Sequence, residues 1–319
     1  GLSAMSMLVG YRTRTATIVS WLLLRSLHIR NPGLLNAGDS LLGLLLFWSM
    51  FLPLGERFSI DAKRRSGQGA ACSIFASAAT AAILIQFLLL YVFTGLQKNG
   101  LDWVSTGTAI ELSLWQEYWT RPFGKVLREY SVPLQYATIC VRYFELIGPM
   151  ILLLSFRYPR IRLLTIGAFW VLQLGISVCL DVHLFGWVSS IAAIPFLPQS
   201  VWETDPPCDV GGGVTTNRVP AVTTTVRQYA NRFFQVIIAM LVFGAFLINL
   251  HQIDAVQISP RWLASSRYVG IYQNWRMYAP NAPDRSFSVE LEGVTPDGSV
   301  ETLVKIPGHG TWQEMQLLH

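Results

Sequence analysis

The sequence predicts an all-α polytopic membrane helical bundle with a small β-rich C-terminal extramembrane domain. Three observations lead there. Of the 319 residues only 13% are charged while 52% are hydrophobic, against a charged share of about 25% in soluble domains. The apolar residues are gathered into long blocks, several of them near the ~20 residues that a helix needs to cross a bilayer. Beyond residue 252 the texture changes to alternating stretches broken by turn residues, which is the period of strands.

Taken in order, Leu2 to Val9 has the composition of the end of a span that begins before the first residue, so the chain is expected to be incomplete at its N-terminus. An apolar run from about Ala16 to Ile29 is interrupted by Arg25, which near a helix end snorkels to the headgroups. Leu41 to Leu54 follows, with Asp39-Ser40 as the expected N-cap and Pro53 and Gly55 as the stop. Ala70 to Gly95 is the clearest span, rich in small residues that permit close helix contact. From Ala109 to Tyr130 the pattern is amphipathic and aromatic, suited to a helix lying in the membrane interface. Val132 to Phe156 is another span. Leu163 to Pro198 is long enough for two passes, or a pass and a re-entrant piece, with a break near Asp181, His183 and Gly186. The Pro, Gly and Thr composition of residues 199–229 predicts a mobile loop, and Phe233 to Leu250 is the last span. These blocks predict about seven or eight passes in residues 1–252. Residues 253–319 are expected to form the β-rich domain, truncated at its end, with strands Ser286 to Val294 and Val300 to Ile306 joined by Pro296-Asp297-Gly298.

The net charge of +5 is placed as topology requires rather than as a nucleic-acid footprint. Lys and Arg flank the apolar blocks, and the side holding Lys63, Arg64, Arg65, Arg157, Arg160 and Arg162 is the more basic. By the positive-inside rule that side is cytoplasmic, which predicts a cell inner membrane with the Lys98 loop and the C-terminal domain facing outward. Cys72, Cys140, Cys179 and Cys208 form no C-x-x-C pair, and no histidine pair has ligand spacing, so no metal is expected. Walker, G-x-G-x-x-G and G-x-S-x-G motifs are absent from the sequence, which removes support for nucleotide hydrolysis, dinucleotide binding and ordinary serine hydrolysis.

The ionisable residues inside or beside apolar blocks are the candidates for chemistry. Lys98 stands just beyond a span; it serves either as a snorkelling interfacial lysine or as a general base, since desolvation favours the neutral amine that can take a proton. Asp102 and Trp103 stand beside it. Arg142 and Glu145 are three apart on one helix face, expected to neutralise each other or to line a polar cavity. Gln173, Asp181 and His183 mark a polar seam on the next span.

Several stretches together resemble a known family. Gly10-Tyr11-Arg12-Thr13, Arg30-Asn31-Pro32 followed by Asp39, Leu52-Pro53-Leu54-Gly55 with Ser59-Ile60-Asp61, the segment Gly95 to Trp103, and Trp275-Arg276-Met277-Tyr278-Ala279-Pro280 occur in order over nearly the whole chain. They are similar to the HTTM (horizontally transferred transmembrane) domain proteins, among which are the vitamin K-dependent γ-glutamyl carboxylases. The resemblance implies that Lys98, which ends a Y-x-x-x-G-x-x-K segment with Tyr91 and Gly95, is the catalytic base that deprotonates a reduced, vitamin K-like quinone, with Trp103, Arg142, Glu145, Gln173 and His183 as pocket residues. Where the carboxylases carry a histidine this chain has Gln173, which cannot become cationic, and their large substrate-binding C-terminal domain has no counterpart of that size. Carboxylation of a protein is therefore outside the expectation. The alternative function is a non-catalytic membrane protein that assists assembly or maturation of an exported partner through its outer domain.

Overall fold

The computed structural model describes residues 1–31, 35–56, 59–65, 77–202, 221–283, 289–294, 297 and 299–306. The chain is mostly helical. Its helices are α1 (Leu2–Val9), α2 (Thr13–Arg30), α3 (Ala37–Ser49), α4 (Ile60–Arg65), α5 (Ala78–Gln97), α6 (Leu101–Val104), α7 (Ala109–Leu114), α8 (Pro122–Leu127), α9 (Ser131–Leu154), α10 (Pro159–Cys179), α11 (Phe185–Ala192), α12 (Ala221–Gln252) and α13 (Pro260–Val269). Strands β1 (Val289–Val294) and β2 (Val300–Ile306) pair antiparallel, with Val289 opposite Ile306 and Val294 opposite Val300.

Four helical stretches among the described residues are long and apolar enough to cross a bilayer: Ala78–Gln97, Ser131–Arg157, Pro159–Cys179 and Arg232–Gln252. Seven or eight passes were expected; these four are the long ones among the described residues. At 1.5 Å per residue the 13 residues of α3 reach only about 20 Å and the 8 of α11 about 12 Å, short of the ~30 Å hydrocarbon core. The outer faces carry Leu164, Val171 and Met240 at 75%, 69% and 68% exposure, alongside many other exposed large apolar side chains, a surface suited to lipid rather than to water. The molecule is an integral membrane protein.

The four spans are not equivalent. α5 is the most enclosed and packs against α9, α12 and α3. Around it Leu41 and Leu44 of α3, Phe87 and Leu90 of α5, Leu152 of α9, Ile166 and Phe169 of α10, and Trp275 form one buried core. The close approach of α5 to α9 depends on Gly95, since a Cβ there would stand 2.8 Å from Leu146.

Several local expectations are revised. The N-cap of α3 is Asn36: its side chain accepts from the Asp39 backbone N–H while Asp39 accepts from that of Asn36, so Asp39 is the third helical residue of a capping box. The interfacial helix expected over residues 109–130 is divided into α7 and α8, because Pro122 fits only a first helical turn and starts a new helix. Residues 203–220 of the expected mobile loop lie outside the described residues, while 221–229 belong to α12; once a helix is nucleated, extending it backward costs little. The stretch Leu163 to Pro198 is one long helix and the short α11, broken at Leu180–Leu184.

The described residues do not bear out a β-rich C-terminal domain. Residues 271–283 pack on the helices, and only β1 and β2 are strands. Gln273 accepts from the Gln86 side chain at 2.7 Å and from the Trp275 indole at 2.9 Å, while Trp48 donates to Gln86. Strand periodicity does not distinguish such a packed extended segment from a sheet.

Four of the five stretches that carried the family resemblance lie together at two places. Asp61 accepts from the Arg12 and Thr13 backbone N–H groups at 3.0 and 2.8 Å and from the Thr13 hydroxyl at 2.7 Å, and its own N–H donates to the Gly10 carbonyl. This clasp joins the start of α2 to the start of α4. The second place surrounds Lys98.

Candidate functional site

Lys98 is the first residue past α5, where the backbone leaves helical angles. It is only 5% exposed. Its Nζ donates to both Glu145 carboxylate oxygens, at 2.8 and 2.6 Å, and lies 4.3 Å from the centre of the Trp103 ring, within cation–π range. The Lys98 carbonyl accepts from Arg142 Nε at 2.9 Å. Arg142 and Glu145 thus share a face of α9 as their spacing predicts, yet they do not neutralise each other. One holds the Lys98 backbone and the other its side chain, because the end of α5 arrives between them.

The turn after Lys98 is tied to the chain's later segment. Gly100 N–H donates to the Pro280 carbonyl at 3.0 Å, and a Cβ at Gly100 would run into that carbonyl and the Asn281 side chain. The Trp103 indole donates to the Tyr278 carbonyl at 2.7 Å. Gln116 Nε2 donates to the Pro283 carbonyl at 2.9 Å.

Beside this pair lies a cavity of about 440 Å³, within the ~300–1,000 Å³ of small-molecule sites. Tyr91, Lys98, Trp103, Glu145 and Gln173 line its buried part. Ile110, Leu114, Leu134, Val141, Leu172, Ile176 and Met277 supply apolar wall, and Trp119, Asp181 and His183 stand at the exposed part. Val171 lines it too while lying on the outer surface of α10, so the cavity borders the lipid-facing side of that helix. A small polar patch at one end of an apolar chamber suits a lipophilic molecule with one hydroxyl- or carbonyl-bearing ring.

Gln173, 2% exposed, donates from Nε2 to the Tyr91 hydroxyl at 2.7 Å, and the Tyr91 ring packs at a tilt against Phe87 and Phe169, 4.8 and 4.4 Å between ring centres. His183 is not with them. Its backbone is left-handed, φ 53°, its ring is 5.6 Å from Trp119, and Nδ1 is 3.2 Å from the Asp181 carbonyl oxygen. The Asp181 carboxylate accepts from Arg121 at 3.0 Å, and that hydrogen bond holds it below its usual range. Tyr278 lies half-buried against the cavity, and burial pushes its phenol up to about 12, so it stays neutral and able to donate.

Of the residues singled out from sequence, Lys98, Trp103, Glu145 and Gln173 are together in the buried part, His183 is at the exposed part, and Arg142 is behind Lys98 rather than at the cavity. Sequence reasoning passed over Tyr278 and Met277 as wall residues, and took Tyr91 only as a motif position. The signal for Tyr91 was a hydroxyl inside an otherwise apolar helix. Among the described residues no three His, Cys, Asp or Glu side chains are grouped to hold a metal ion.

A helical membrane bundle with a buried lysine–carboxylate pair beside an apolar chamber defines the class of this protein. The family model described as the HTTM domain matches residues 1–202, more than half of the chain, and the chain belongs to the HTTM domain family. No curated protein and no solved structure matches it.

Proposed function

We propose that this chain is a membrane enzyme that uses Lys98 as a general base on the hydroxyl of a reduced naphthoquinone drawn from the bilayer. The carrying observation is the amine held against a carboxylate, both about 95% buried, in the wall of an apolar cavity that reaches the lipid-facing side of α10. Such a site fits a lipophilic ring bearing hydroxyls: an apolar chamber takes ring and tail, and the few polar groups orient the hydroxyls.

As an ammonium, Lys98 must lose a proton before it can act. Glu145, 2.6 Å away, is the acceptor: moving one proton along that hydrogen bond turns ammonium and carboxylate into amine and acid without changing the total charge. The transfer gives up the attraction between the two ions and recovers their desolvation cost, two quantities that nearly offset. The free amine accepts the ligand's hydroxyl proton, and the Trp103 face stabilises the ammonium that results. Arg142 fixes the backbone so that Nζ keeps its position. A reduced naphthoquinone bound there supplies the reaction with dioxygen that gives an epoxide. The cell inner membrane, with the Lys98 end facing outward, is the setting this reading adopts from the charge asymmetry.

Purified protein in nanodiscs, given reduced naphthoquinone and oxygen, is expected to form the epoxide, and Lys98→Ala to slow this at least ~100-fold, the lower bound for a general base. Absence of epoxide with any naphthoquinone overturns the reading. A Lys98→Ala variant with full biological function would favour instead a non-catalytic protein that assists an exported partner.

A further inference from the structure

Two residues of α10 belong to the chamber wall and to the outer surface at once. Val171, 69% exposed, and Gly175, one turn further on and also exposed, both line the cavity. A Cβ built on Gly175 would meet nothing within 4 Å, so open space rather than a neighbouring helix adjoins α10 there. The α9 side of the chamber carries Ala137 and Val141, likewise one turn apart and only half-buried. The two helices meet further along: a Cβ on Gly148 would stand 2.9 Å from the Phe169 ring, and the Phe144 and Phe169 rings are 4.6 Å apart between centres. At the other end α8 closes against α10, where the Arg121 N–H donates to the Cys179 carbonyl at 2.9 Å and a Cβ on Gly124 would run into the same carbonyl. Between Phe169 and Cys179 α10 rises about 15 Å, and Val171 and Gly175 fall inside that interval.

Resting on the functional reading above, we infer that the interval between these two closures is a lateral window, through which the hydrocarbon tail of the bound molecule leaves the chamber and lies in the bilayer. Its edges say what passes. Ala137, Val141, Val171 and Gly175 bear no polar side chain, so nothing there holds a headgroup or a hydrated ion, and the surface beyond continues through Leu174, 63% exposed. The side chains at Ala137 and Gly175 are the smallest available, which keeps the gap between the two helices free. A tail placed in this window exchanges lipid for lipid, since hydrocarbon chains are as apolar as the side chains they replace. Tail length therefore contributes little to affinity, and the ring is held by the chamber alone. The ring position that carries the tail faces α10, away from the Lys98–Glu145 pair.

The test compares 1-naphthol with 2-dodecyl-1-naphthol, both tritiated, by saturable binding to the full chain in nanodiscs, counted above empty nanodiscs and expressed per mole of probe in the lipid. Wild type is expected to bind the two with similar affinity. Ala137→Phe with Gly175→Phe, which fills the window from both edges, is expected to weaken the dodecyl probe at least about tenfold, the size of an overpacking penalty, while leaving 1-naphthol unchanged. Leu174→Phe, on the outer surface beside the window, is expected to change neither, and an equal loss of the dodecyl probe there overturns the inference. So does a double variant that binds both probes as wild type does. If the double variant loses both, Gly175→Phe alone decides, since its Cβ has open space: loss of the dodecyl probe only supports the inference, and any other result overturns it. Wild type that binds 1-naphthol but not its dodecyl derivative overturns the window and leaves the functional reading standing. Wild type without saturable 1-naphthol binding overturns both.

Discussion

At the scale of single residues, the Lys98–Glu145 pair decides both stability and chemistry. Two buried opposite charges pay a desolvation penalty that their attraction only roughly repays, whereas one left alone is strongly unfavourable. Lys98→Met with Glu145→Leu is accordingly expected to melt within ~1 kcal/mol of wild type or above it, while Glu145→Gln alone loses about 3–5 kcal/mol. Thermal unfolding in a mild detergent checks both, and a silent Glu145→Gln variant would show that Lys98 finds another partner. Lys98, Glu145, Trp103 and Gln173 were legible in the sequence because polar groups in apolar blocks are costly unless the fold provides for them. The partner of Arg142 was not. Helical spacing fixes which residues share a face, but which neighbouring chain end meets that face depends on how α5 and α9 cross.

At the scale of elements, the region between α5 and α9 shows how a polar, aromatic stretch becomes a set of short helices. α6, α7 and α8 are each no longer than six residues, so their own helical propensity is too small to hold them. They are anchored by side chains: Glu117 pairs with Lys125 at 2.5 Å and Arg128 at 2.6 Å, and Ser131 donates to Glu111 at 2.9 Å. Burial alone would raise Glu117, but Lys125 and Arg128 outweigh it and hold the carboxyl below its ordinary 4.5. The sign follows from that depression. The favourable tie is present in full above pH 4.5 and is lost as pH falls through the lower folded-state value. Glu117→Gln is expected to cost about 1 kcal/mol near neutral pH, the range of partly exposed pairs, with the difference from wild type shrinking as the pH of the melting series drops below 4.5. A difference that persisted in acid would mean that Glu117 acts through packing. A single amphipathic helix was the natural expectation here, since periodicity survives the break at residues 115–121, ahead of Pro122.

At the scale of the whole molecule, α5, the first half of α9, α10 and the segment 271–283 enclose one chamber. Long apolar helices were readable from block length, because the thickness of the bilayer sets it. The role of residues 271–283 was not, since Met277 and Tyr278 meet the chamber only through long-range contacts across the bundle. The Asp61 clasp on Gly10, Arg12 and Thr13 explains in structural terms why those stretches recur together in the resemblance: they join the starts of two helices rather than touch the chamber. The measurement that bears most directly on the chamber as the ligand site is photocrosslinking in bilayers with an azido-naphthol carrying a long apolar tail, followed by peptide mapping. Label is expected on wall residues of α9 and α10 and on Met277 or Tyr278, and an excess of 1,4-dihydroxynaphthalene should prevent it. Label confined to the outer faces of α2 or α12, or left unchanged by the competing diol, would contradict a ligand site beside Lys98.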